Sequence, residues 1–319
     1  MSSQNFKRLI SAPKHFTNAN IFDFINSCEP IFSLKNKQES GFGLNISKIE
    51  QASMLGVLLI YKIMDFAFAN NCFSQPTLLY NPDSDNVLDK YGFKKLVHAL
   101  MANSKEEEKE MSNLKISYKD NFIIAPQALL RKKQYNHNSL NWQYYPLIEQ
   151  YYSENKKAVS MILLSFSEIL LNFWEHAVDD TKSIIVANGN SQKIEIACAD
   201  TGNGIITTLG KSLSTKNLDP EKILLEAVKK GVTSKKLTNH MGYGLWILDE
   251  IATKTKGRLQ IISQGATYSN SGGRKKVRRC GYWQGSIVYL SLPIANAVSL
   301  TDILPEDVKT RGTIQINFA

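Results

Sequence analysis

The chain has 319 residues, 43% of them hydrophobic, 21% charged and 10% aromatic, with a formal net charge of +9. At about 150 residues per domain, that length corresponds to roughly two domains. The composition excludes a low-complexity chain, no uninterrupted apolar run reaches the ~18 residues a membrane helix needs, and no apolar stretch follows the first basic residues as in a secretory signal. The expectation is a cytoplasmic protein with no membrane partner.

In chain order, residues 7–11 read as an opening strand, and Thr17 as the N-cap of a helix reaching about Ser27. Residues 42–46 alternate like a strand. An apolar helix follows over about 52–70, broken in character only by Lys62 and Asp65. Residues 76–80 form a short strand, 81–85 a turn, and 88–101 a helix despite Gly92. Strand–helix alternation makes 1–101 a small α/β domain. Residues 102–152 read as a connector: a charged stretch, a strand near 122–125, and a segment carrying Trp142, Tyr144, Tyr145, Tyr151 and Tyr152. Packing of those aromatics on the second domain is a better reading than stacking on nucleic-acid bases. Cys28, Cys72, Cys198 and Cys280 are scattered singly, which fits free thiols and not a metal site or a disulfide framework.

The chemistry is concentrated after residue 153. A helix over 158–178 carries Glu168, Asn172 and His176 at intervals of four, hence along one face. Burying such a line is costly unless its groups have partners; the alternative is the wet face of an amphipathic helix. A strand over 193–199 ends at Asp200, followed by Gly202 and Gly204. A carboxylate and bare backbone are thereby offered to a ligand, although the same residues alone would make a simple turn. Further on, Gly242 and Gly244 open an apolar helix, where backbone N–H groups can approach phosphates at the positive end of the helix dipole. No dinucleotide fingerprint and no Walker A loop is present.

Taken together, these elements resemble the GHKL superfamily of histidine-kinase-like ATPases. Its N-box Glu-x-x-x-Asn-x-x-x-His is matched by Glu168, Asn172 and His176. The first glycine box, Asp-x-Gly-x-Gly-Ile, is matched by Asp200, Gly202, Gly204 and Ile205, and the second, Gly-x-Gly-Leu, by Gly242, Gly244 and Leu245. The segment 282–293 looks like the family's closing strand, with Ser286 where the family has threonine. The resemblance implies a Bergerat-type α/β sandwich over 153–298, with a mixed sheet carrying helices on one face, and ATP and Mg²⁺ as ligands. By the same resemblance, Asp200 accepts a hydrogen bond from the adenine amino group with Ser286 assisting, and Asn172 coordinates Mg²⁺. Glu168 orients or deprotonates the attacking water or hydroxyl. Residues 230–240 form a lid with Lys235 or Lys236 near the γ-phosphate. Gly242 and Gly244 admit main-chain donors to the phosphates, and His176 either reaches the phosphates or closes the stripe.

Residues 44–47, 56–61 and 76–80 resemble a STAS domain, the anti-anti-sigma type of partner. Its usual Asp-Ser-Ser-Gly is replaced around Ser53 and Gly56, which implies a regulatory or partner-binding role. His137 lies in a polar stretch without a dimerisation pattern, which disfavours an autophosphorylating histidine kinase. The functional expectation is a Mg·ATP-dependent switch or slow ATPase in a signalling or regulatory assembly, such as one for stress or defence. The alternatives are an anti-sigma-like serine/threonine kinase and a non-catalytic nucleotide-sensing adaptor. A protein partner is expected through the STAS-like domain or the tail 299–319, read as an edge strand; self-association stays open. The cluster Arg274, Lys275, Lys276, Arg278 and Arg279 is either a solvated hairpin tip or a docking surface for an acidic protein or nucleic acid.

Overall fold

The computed structural model describes residues 8–34, 42–73, 76–101, 122–130, 144–177, 182–212, 218–234 and 242–304. The chain is an α/β protein with an N-terminal parallel sheet with helices and a C-terminal seven-stranded antiparallel sheet packed against helices. In the N-terminal unit, β1 (Arg8–Ser11), β3 (Phe42–Asn45) and β5 (Pro76–Leu79) pair in parallel in that order, while β2 (His15–Phe16) pairs with β4 (Gln51–Ala52). Helix α1 (Ile21–Phe32) follows Asn20 and not Thr17, because the chain first closes a turn in which Asn20 N–H donates to Thr17 O at 3.0 Å. Its buried residues Ile21, Phe24, Ile25, Cys28 and Ile31 recur at helical spacing and face the core.

Helix α2 (Met54–Ala69) is capped by Ser53, whose Oγ accepts Gly56 N–H at 3.1 Å. It is buried on every side from Met54 to Ala67, and the two charges inside it pair with each other, Lys62 Nζ to Asp65 Oδ2 at 2.8 Å. A helix apolar all round needs cover all round, and α2 obtains it by lying between its own sheet and the large one. The expected turn at 81–85 is instead the start of α3 (Pro82–Asp89), where proline suits the first helical turn. A second helix, α4 (Phe93–Met101), begins after Gly92, whose φ of 71° interrupts what the sequence suggested was one helix.

The large sheet contains β6 (Phe122–Leu130), β7 (Lys182–Gly189), β8 (Lys193–Ala199), β9 (Arg258–Ser263), β10 (Ala266–Ser271), β11 (Arg274–Arg279) and β12 (Ser286–Pro293). Its order is β11-β10-β9-β12-β8-β7-β6, and every neighbouring pair is antiparallel. The expectation of a mixed sheet is therefore corrected. Tight connections join β7 to β8 and β9 through β11, and β12 returns between β9 and β8 against both. One face carries α5 (Tyr145–Tyr152), α6 (Lys156–His176), α7 (Gly204–Ser212), α8 (Pro220–Ala227) and α9 (Gly244–Lys254); the short α10 (Leu300–Ile303) ends the described chain. The domain's own helices lie on one face, as expected, and the period-2 alternation of the strands leaves a second apolar face to be covered. Ile185, Cys198, Val288 and Ile261 point to those helices, whereas Ile184, Ala197, Ala199, Ile262, Ile287 and Tyr289 join the core of the N-terminal unit. The N-terminal unit thus covers the back of the large sheet.

Residues Lys156–Trp174 of α6 have the length and mean hydropathy of a membrane-crossing helix, and most of that stretch is buried inside the protein. Strand β6 and helix α5, within the region read as a connector, belong to the large sheet and its helical layer. The tail after Leu304 lies outside the described residues.

Candidate functional site

Strand β8 delivers Asp200 to the end of the sheet, beside the start of β12. Asp200 is only 2% exposed, and its carboxylate is fixed by main chain. Oδ1 accepts Gly202 N–H at 2.7 Å and Oδ2 accepts Ser286 N–H at 3.1 Å. Its own N–H donates to Ser286 O at 2.9 Å, and its carbonyl accepts the indole N–H of Trp283 at 2.8 Å. Gly285 is required by this wrapping: a Cβ there would stand 2.2 Å from Asp200 Oδ1. Gly202 backs less tightly on Ala177, where a Cβ would lie 3.0 Å from main-chain atoms. A carboxylate held in this way is a rigid acceptor, aimed where a buried donor on a ligand can meet it.

Asp200 and Ser286 share a narrow recess with Asn172, Phe173, Ala177, Gly204, Ile205 and Val288, whose free interior is about 20 Å³. That is room for about one water, so a flat heterocycle enters only if the walls move apart. Its walls are apolar apart from three polar side chains, Asp200, Ser286 and Asn172. Asn172 Nδ2 is buried without a hydrogen-bond partner. A carboxamide in that condition carries an uncompensated desolvation cost, the signature of a group kept for something other than stability.

The head of α7 begins at Gly204, with φ of 66°, and a Cβ there would collide with the Gln264 side chain at 2.7 Å. Its first N–H groups are already taken. Ile205 N–H is shared between Ser263 Oγ at 2.9 Å and Ser286 Oγ at 3.2 Å, and Thr207 N–H donates to Gln264 Oε1 at 2.8 Å. Ser263, Gln264 and Trp283 are contributors that the sequence reading did not single out. Ser263 is opposite Ser286 only because β9 and β12 pair in that register, a relation with no local signal.

The head of α9 differs. Its N-cap, Tyr243, makes no side-chain cap bond, and no acidic residue lies in its first turn. The packing of α6 on α9 brings Glu168 to this point: a Cβ on Gly244 would stand 2.8 Å from Glu168 Oε2, so only glycine lets the carboxylate come so near. Gly242, with φ of 67°, is pressed against Gly231 and Val232, and Gly231 N–H donates to Gly242 O at 3.1 Å. The two ends of the expected lid are therefore bonded together. Lys235, Lys236 and the rest of 235–241 lie outside the described residues, as does the His176 side chain. Leu245 is buried in the core beneath α9.

The structure thus brings Asn172, Asp200, Gly204 and Ser286 to one recess, with Glu168 beside Gly244 at the start of α9. Among the described residues, no cluster of metal-ligating side chains of three or more is found. Cys28, Cys72 and Cys198 are buried free thiols, and burial pushes the half-buried Cys280 up to about 12, which keeps it protonated and unreactive. The basic strand β11 is partly neutralised within the molecule. Lys275 Nζ lies 2.6 Å from Asp249 Oδ2, Arg279 Nε 2.8 Å from Glu221 Oε1, and the Arg278 guanidinium 4.3 Å above the Phe22 ring. A scan against protein-family models and a search of curated proteins find no match.

Proposed function

We propose that the C-terminal unit is a Bergerat-type site of the GHKL kind, and that the protein is a Mg·ATP-dependent switch with slow ATP turnover. The N-terminal unit is read as STAS-like, from its strand–helix alternation, and as the protein's regulatory or partner-binding half. The observation that carries the nucleotide reading is the Asp200 carboxylate, fixed by Gly202 and Ser286 N–H groups in an apolar recess it shares with the unpartnered Asn172 amide.

The chemistry of the side chains present suits the ligand, and the recess must widen to admit a base. Asp200, an acceptor held by its surroundings, selects a base edge that presents an amino donor, while Phe173, Ile205 and Val288 supply apolar walls for the ring. The hydroxyls of Ser263 and Ser286, 3.4 Å apart, stand at the same end and extend the polar edge. Asn172 would hold Mg²⁺ through its amide oxygen, a hard donor for a hard cation; the ion supplies charge neutralisation on the phosphates. The start of α9, where the Tyr243 side chain makes no cap bond, supports phosphate binding there. Glu168, beside Gly244, would orient water and accept its proton.

Calorimetric titration of the full chain with ATP at millimolar Mg²⁺ tests the reading. Binding is expected, with a loss of about tenfold or more in Asp200→Asn, whose amide replaces an acceptor by a donor. Glu168→Ala is expected to retain binding and to lose turnover. Wild-type protein without measurable affinity for ATP, behaving the same as Asp200→Asn, would refute the proposal.

A further inference from the structure

Helix α1 has a second face. Its core face is apolar, but Phe22, Asn26, Glu29 and Phe32 recur at intervals of four, three and three and point to the large sheet instead. All of them meet one short stretch of chain, the end of β11 and the segment that leads into β12. Phe22 lies under the Arg278 guanidinium at 4.3 Å. Asn26 Oδ1 accepts Gly281 N–H at 2.6 Å, and Glu29 Oε2 accepts Tyr282 N–H at 3.1 Å. The Phe32 ring meets Tyr282 at 5.9 Å and Trp283 at 5.4 Å between centroids, both edge-on. The approach is close enough to demand glycine: a Cβ on Gly281 would stand 2.6 Å from Asn26 Cα and 2.8 Å from its N.

The other side of the same stretch holds Asp200. Trp283, fully buried, donates its indole N–H to Asp200 O, and Gln284 Nε2 donates to Thr201 O at 2.7 Å. Ser286 N–H then donates to the Asp200 carboxylate. Residues 281–286 are thus a belt with α1 on one side and the Asp200 loop on the other. Packed interiors transmit displacement in place of absorbing it, so α1 cannot withdraw without loosening what holds the carboxylate.

We infer that Trp283 is a positioning residue for Asp200, and that α1 governs affinity at the base-binding end of the site through the 281–286 belt. The inference rests on the proposed nucleotide reading and deepens it: docking of the N-terminal unit sets how strongly the base is held. By linkage the reverse follows, and nucleotide must tighten α1 on the belt.

The test uses the full chain with Mg²⁺ and two probes, ATP and inorganic tripolyphosphate, the second having no base. Trp283→Phe keeps a ring against Phe32, removes the donor and leaves a small cavity in place of the rest of the indole. Asn26→Ala, at an exposed position, releases Gly281, and Gly281→Ala wedges the helix from the belt. Each variant is expected to bind ATP about tenfold more weakly, within the usual range of coupling between sites, with tripolyphosphate affinity unchanged. In the wild type, Mg·ATP is expected to slow amide hydrogen exchange in residues 21–32, and in Gly281→Ala to leave it unchanged. Wild-type ATP affinity in both Trp283→Phe and Asn26→Ala overturns the inference and leaves the nucleotide site standing. Equal weakening towards both probes overturns it as well, since it marks general loosening of the fold. A wild type that binds neither probe overturns the nucleotide reading itself and this inference with it.

Discussion

Replacing Asn172 by leucine separates what the residue costs from what it does. Its Nδ2 is buried without a partner, in a recess shared with Asp200 and Ser286 and with the apolar Phe173, Ala177, Ile205 and Val288. An unsatisfied buried donor costs ~1–3 kcal/mol. Leucine removes that cost, is a better helix former by a few tenths of a kcal/mol, and offers an apolar surface to those walls. Part of the gain is lost because Asn172 is only half-buried as a residue, so the nucleotide-free Asn172→Leu protein should be more stable than wild type by about 1 kcal/mol. With nucleotide the order reverses. Ligand at a hundred times its dissociation constant stabilises a folded protein by ~2.7 kcal/mol, and the leucine variant, lacking the amide proposed to hold the metal, should gain little of this. Urea unfolding of both proteins, with and without Mg·ATP, reads the crossover. A leucine variant less stable than wild type without nucleotide, or stabilised equally by it, would refute the assignment of Asn172 as a group retained for ligand.

Two further outcomes are expected. Lys275→Met leaves Asp249, whose side chain is 1% exposed, facing no cation at 2.6 Å; breaking a buried pair costs ~3–5 kcal/mol. The lysine is itself 43% exposed, so solvent screening reduces this to about 2 kcal/mol. Lys276→Met should stay within ~0.5 kcal/mol of wild type, and equal urea midpoints for the two variants would show that β11 is a uniformly solvated strand. On the alkaline side, burial first, then the Asp249 bond for Tyr268 and the Glu195 charge for Tyr289, hold both phenols above their ordinary value of 10. Their contribution to stability is full below pH 10 and lost as pH rises further, because the unfolded chain releases those protons first. Thermal melts and tyrosinate absorbance across that range should fall and rise together; a melting temperature unchanged above pH 10 would contradict it.

The parts of the fold legible in the sequence were those with a strong local period or a strong local stop. Strand β8 and its end at Asp200 follow from alternation and from the glycines after it, and α2 follows from its apolar run and the Ser53 cap. Asn172 and Glu168 could be picked out because polar groups at intervals of four on an apolar helix need an explanation. Relations between distant segments were not legible. Asparagine, not threonine, heads α1 because of a turn closed through His15 and Thr17. The covering of the back of the large sheet by α2 is a packing outcome, and its trace in the sequence was only that α2 has no polar face. Ser263 and Gln264 sit near Gly204 through strand register and a turn at Gln264, which adopts a positive φ of 43°.

The two faces of the large sheet divide the proposed labour unequally. Glu168 and Gly244 belong to α6 and α9, helices that touch only the front face. The proposed base-binding end differs, because Asp200 is held by the 281–286 belt and that belt is gripped from behind by α1. A signal arriving through the N-terminal unit therefore meets the grip on the base before it meets anything that acts on the phosphates. On this reading, regulation alters how much nucleotide is bound at a given concentration and leaves the rate of the bound complex nearly constant. An assembly regulated in this way responds to partner and ATP as a product of two occupancies, since each tightens the other across the same six residues.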